Sequence, residues 1–160
     1  MNKELEFNTI VNDILKNAEF IKLKYEVHHG ISRLEHSLNV AKVTFKVCKF
    51  FRLKKCVETT RAALLHDFFK NSEVNNKRFL NHPEKAAENA EKYFSVNDFQ
   101  KDIIRSHMFP VAKVFPKHKE SWIVSGSDKV IAIYECAKYK IPLTIGTALL
   151  FFVNFCMIQR

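Results

Sequence analysis

Residues 31–52, ISRLEHSLNVAKVTFKVCKFFR, decide the fold. At helical spacing, Ile31, Leu34, Leu38, Ala41 and Phe45 form one apolar line. His36, Val40, Val43, Val47 and Phe50 form a second on the opposite side, and the polar stripe (Glu35, Lys42, Lys46, Lys49) is narrow. A helix apolar on two faces is covered by neighbours on both, so this segment predicts the central helix of a bundle. Before it, a first helix is expected over about residues 3–24, with Phe7, Ile10, Val11, Ile14 and Leu15 inward; Gly30 then ends a turn carrying His28 and His29. After it, helices are expected at 57–69, from Pro83 to about Phe94, from a cap at Ser95 or Asn97 to about His107, and at 121–139. A polar irregular stretch (70–81) and a basic loop (108–120) separate them, and Pro142 precedes a last apolar helix at about 142–158. The expectation is an all-α, single-domain bundle of six to seven helices spanning 1–160.

Composition agrees. The 160 residues are 47% hydrophobic and 27% charged, which excludes a disordered chain, and three glycines with four prolines are too few turn residues for a β-sandwich. The four cysteines (Cys48, Cys56, Cys136, Cys156) form no CxxC pair and sit on apolar faces, as core packing in a reduced, cytoplasmic protein would have them. The start, MNKELEF, places acids where a signal peptide needs an apolar run. Residues 141–159 carry no charge, long enough to span a bilayer, but Pro142, Gly146 and Asn154 favour a buried helix, and no membrane is expected. The net charge is +9, with six cations and no acid between Ser37 and Val57. This suits an anionic partner such as a nucleotide or nucleic acid, although a solvated basic face has the same pattern.

Six residues break the apolar pattern. Asp67 lies inside AALLHDFF (62–69), where a lone buried carboxylate would cost several kcal/mol, and His66 precedes it. A helix-end aspartate paired with a lysine would account for it equally. His36 sits among Val40, Val43 and Val47, where a satisfied core histidine is the ordinary reading. Asp128 has Val124, Ile131 and Ala132 as helical neighbours, and Gly126 beside it is expected to admit another backbone. Two buried acids and two buried histidines compensate most simply through a divalent ion, and mixed imidazole and carboxylate ligands suit Mn, Fe, Co, Ni or Zn better than Ca. His107, following Ile103 and Ile104, and His82, before Pro83, are candidates for a second ion.

The ordered strings RLEHSLNVA (33–41), AALLHDFFK (62–70) and SGSDKVIAIYE (125–135) resemble the HD-domain superfamily of metal-dependent phosphohydrolases over about residues 29–135. The resemblance implies an all-α fold in which His36, His66, Asp67 and Asp128 hold one metal. His82 in HPEKAAENA and His107 in IIRSHMFP match the second-metal histidines of two-metal branches. The branch that cleaves cyclic dinucleotides has adjacent histidines where this chain has His107-Met108, and its glycine-rich signature is absent. The branch that splits dinucleoside tetraphosphates symmetrically is more similar around RLEHSLNVA and HDFFK. The implied activity is hydrolysis of a phosphate ester or anhydride, with a nucleotide the favoured substrate and Asp67 orienting the water or bridging two ions. Arg33, Lys70 and Lys129 lie near enough in sequence to meet the phosphate, with Lys113 and Lys117 as further cations. The alternatives are a non-catalytic nucleotide sensor on the same fold, or a nuclease using the Lys42–Lys55 stripe.

Overall fold

The computed structural model describes residues 2–28, 30–74, 80–140 and 144. Among them are seven α-helices: α1 (Lys3–Lys16), α2 (Ala18–Ile21), α3 (Arg33–Phe50), α4 (Cys56–Leu65), α5 (His82–Tyr93), α6 (Asp98–Ser106) and α7 (Lys119–Glu135). Apart from residue 144, the expected last helix at 142–158, with Cys156, lies outside the described residues. Among the described residues no helix is long and apolar enough to cross a membrane.

α3 is the central element, packed on α4 and α7; α6 packs on α4, α5 and α7. Its buried arc differs from the two-sided expectation. Arg33, His36, Ser37, Val40, Ala41, Thr44, Phe45 and Cys48 are buried, whereas Leu34, Leu38, Val43 and Val47 are only half-buried and Phe50 is 80% exposed. The helix turns one broad face inward, and His36 on that face reaches the site described below.

The first helix is shorter than its periodicity suggests. Asn17 adopts an extended conformation, ends α1, and caps α2 by accepting hydrogen bonds from the N–H groups of Glu19 and Phe20. The break lets Phe20 drop into the core, where it meets Phe68 edge-to-face at 5.3 Å. A two-residue antiparallel hairpin, β1 (Val27–His28) with β2 (Ile31–Ser32), was not expected; it turns through Gly30 at φ 93°. Ser32 then caps α3 through the Glu35 N–H. α4 ends at Leu65, four residues short of the expected end, because the chain turns at His66 and Asp67. Ala62 to Leu65 are fully buried, so the turn is made inside the core. Gly126 does not admit a second backbone: a methyl group there would meet nothing within 4 Å, and the residue is exposed.

Candidate metal centre

The fold delivers six side chains from five helices to one point. His36 comes from the first turn of α3, His66 and Asp67 from the turn after α4, His82 from the start of α5, His107 from the end of α6, and Asp128 from the middle of α7. Small residues place α5: Ala86, Ala87 and Ala90 are buried, so the helix approaches closely and brings His82 inward. Five of the six are at most 3% exposed, and the Asp128 side chain is 13% exposed.

Their ligating atoms converge. His36 Nε2 is 3.1 Å and His66 Nε2 3.5 Å from Asp128 Oδ1. Asp67 Oδ2 is 3.8 Å from His66 Nε2, while its Oδ1 is 3.3 Å from His82 Nε2 and 3.6 Å from His107 Nε2. Asp67 thus turns one oxygen toward each half of the cluster. His82 and His107 face each other, Nε2 to Nε2, at 3.1 Å.

The outer nitrogens are fixed. The Nδ1–H groups of His66 and His107 donate to the carbonyls of Ala63 and Ile104, each at 2.7 Å within its own helix end. His36 Nδ1–H donates to Glu135 Oε2 at 2.7 Å, and Asn39 Nδ2 donates to the other Glu135 oxygen at 3.0 Å. Such contacts leave Nε2 as the inward atom, the tautomer a metal requires. Sequence reading did not single out Glu135, which is fully buried. The signal was present, since it lies two turns beyond Asp128 on the same helix face.

The donor set fits a divalent transition ion. His66 Nε2 is buried and makes no hydrogen bond, as expected of a nitrogen kept for a metal. Two atoms each about 2.1 Å from one ion lie about 3 Å apart in an octahedron and about 3.4 Å apart in a tetrahedron, close to the separations seen. In three overlapping triplets the ligating atoms all lie within 4.8 Å of one another: His36, His66 and Asp67; His66, His107 and Asp128; Asp67, His82 and His107.

Three of the five expected phosphate cations are held by other groups of the protein. Arg33 is 1% exposed; its guanidinium donates to the Phe69 carbonyl at 2.7 Å and to Asn71 Oδ1 at 2.9 Å, and lies 3.9 Å above the Phe69 ring. Lys70 pairs with Glu19 at 2.8 Å. Lys129 donates to the His107 carbonyl at 3.1 Å and to Ser125 Oγ at 2.7 Å. Lys113 and Lys117 are exposed on the 108–120 loop.

Without a metal, the site is a lattice of opposed charges. Burial pulls the His36 pKa down, but hydrogen bonds to Asp128 and Glu135 and the charge of Asp67 overcome it and lift it to about 10. Burial, reinforced by the charge on His66, pushes His107 down to about 4. Burial would raise both carboxyls, yet the surrounding imidazoles hold Asp67 and Asp128 well below the usual range. A depressed histidine stabilises the fold above its unfolded pKa, near 6.5, and loses that contribution as pH falls toward 4. A raised histidine contributes below about 6.5 and loses it as pH rises through 10. We therefore expect the metal-stripped protein to be most thermostable near neutral pH, with Tm falling in both directions. Thermal melts in chelator from pH 4 to 10 check this, and a flat profile would contradict it.

Glu135→Gln keeps the shape but removes the charge that orients His36. We expect metal affinity to fall by about 10–100-fold, measured by competition with a coloured chelator; unchanged affinity would deny Glu135 that role.

A family model for the HD domain matches residues 33–133, the span from the first residue of α3 to the last turns of α7. No curated protein and no solved structure gave a match. The matched span covers well over half of the chain and holds all six converging side chains, so the chain belongs to the HD-domain family, whose fold is of the metal-dependent hydrolase type.

Proposed function

We propose that the protein is a metal-dependent phosphohydrolase with two divalent ions, cleaving a phosphate ester or anhydride of a nucleotide. The observation that carries this reading is Asp67, whose two oxygens face the two halves of one buried ligand cluster. His36, His66 and Asp128 would hold one ion, and His82 and His107 the other, with Asp67 shared. Ions of this class, when bound, acidify water and stabilise charge on the phosphoryl group. The chain supplies the rest. Asp67, only 3% exposed, presents its two oxygens to the two halves of the cluster. Asp128 is the most exposed of the six, so substrate would approach from its side. The net charge of +9 favours an anionic substrate approaching by diffusion.

The test is hydrolysis by protein loaded with Mn²⁺, Fe²⁺, Co²⁺, Ni²⁺ or Zn²⁺, with bis-p-nitrophenyl phosphate, nucleoside mono- and triphosphates and a dinucleoside tetraphosphate as substrates. Metal-dependent release of product from at least one nucleotide is expected. No turnover of any of them by protein shown to contain metal would overturn the reading and leave a nucleotide-sensing module.

A further inference from the structure

The other pole of the bundle holds a cleft. The end of α3 and the starts of α4 and α7 surround a cleft of about 380 Å³, within the range of small-ligand sites and near its lower end. α4 begins at this cleft and ends on His66, so its ten residues put about 15 Å between cleft and metal centre. Arg52, Lys54, Lys55 and Lys119 line the cleft, against a single carboxylate, Glu120, which is 6% exposed. Among the described residues none of these four cations forms a salt bridge, whereas Lys22, Lys49, Lys70, Lys85 and Lys101 all do. Lys55 instead rests on the Phe99 ring, 4.0 Å from its centre, and His118 lies against the same ring. Lys55 and His118 precede α4 and α7, and neither caps its helix with its side chain. The positive ends of both helix dipoles therefore add to the charge of the lysines.

Arg52 shows that the cleft has a cost in the fold. The Arg52 N–H bonds the Lys49 carbonyl and the Leu53 N–H bonds the Cys48 carbonyl, the paired bonds of a helix-ending turn whose left-handed residue is usually glycine. Arg52 occupies that place at φ 52°, the only non-glycine residue with positive φ among those described. An arginine that lines the cleft is held where its backbone is strained. Beside it, Phe51 is 63% exposed and offers a face on which a base can stack.

We propose that this cleft binds a nucleoside polyphosphate, its phosphates on Arg52, Lys54, Lys55 and Lys119 and its base on Phe51. The inference does not rest on the metal centre. It is tested by calorimetry on the full chain in excess chelator, with ATP, inorganic tripolyphosphate and a twelve-nucleotide single strand as probes. One ATP per chain is expected, bound more tightly than tripolyphosphate. The Lys54→Ala/Lys119→Ala variant should bind ATP at least tenfold more weakly. Arg52→Gly should also weaken binding several-fold while raising Tm, so lost affinity cannot be ascribed to a damaged fold. Mn²⁺ binding should be unchanged in both variants, which keeps this test separate from that of the metal centre. Variants that bind ATP like the parent protein would overturn the proposal. So would tripolyphosphate equal to ATP, or an oligonucleotide that binds the cleft in preference to it.

Discussion

Asp67→Ala is expected to empty the metal centre and to lower the proposed phosphohydrolase turnover by roughly a thousandfold or more, since it removes the ligand that the proposed two ions would share. Its effect on stability separates two accounts of the same residue. A helical binding protein with no metal would gain stability on losing a buried carboxylate. In this structure three imidazoles surround Asp67, and the carboxylate helps hold His66 charged, so its removal leaves that buried charge less compensated. We therefore expect the metal-stripped variant to be less stable than the metal-stripped parent by about 3 kcal/mol, the usual scale for breaking a buried charge pair. Denaturant unfolding in chelator measures this, and a gain in stability would support the binding-protein account.

The second large effect is expected at Arg33. Its guanidinium is buried, bonds the Phe69 carbonyl and covers the Phe69 ring, and that ring stacks on His82 at 4.9 Å. Arg33 thus supports His82, a candidate ligand, through Phe69. Truncation would leave a buried carbonyl without its donor and a void above Phe69. Arg33→Ala should cost about 3–5 kcal/mol of stability. Arg33→Lys should recover little, because an ammonium cannot donate to Phe69 and Asn71 together while lying flat on the ring. Urea unfolding of both variants checks this. A stable Arg33→Ala protein with a raised KM alone would instead make Arg33 a substrate ligand.

These roles mark how far the sequence could be read. Polar and charged residues inside apolar runs announced the cluster: Asp67 among Leu65, Phe68 and Phe69, and His36 above Val40, are anomalies that a common partner resolves together. The helices were visible because apolar periodicity tracks burial. Their ends were less so. The break at Asn17 depends on a side chain capping its own backbone, a local hydrogen bond that competes with helix without disturbing the apolar pattern. The orientation of Arg33 was not legible, for a different reason. A cation one turn from a ligand can point outward or inward, and the choice here is made by Phe69 and Asn71, which are near in space but 36 and 38 residues away in sequence. Glu135 was overlooked because a helical glutamate near an exposed tyrosine resembles surface until His36 is placed against it.

The central claim is that His36, His66, Asp67, His82, His107 and Asp128 form one metal centre. Elemental analysis of protein purified without chelator or a metal-affinity tag tests it most directly, run beside Asp67→Ala and repeated after incubation with Mn²⁺, Fe²⁺, Co²⁺, Ni²⁺ or Zn²⁺. Two transition-metal ions per chain, lost in the variant, is the predicted result. No ion in the parent protein, even after incubation, would contradict it.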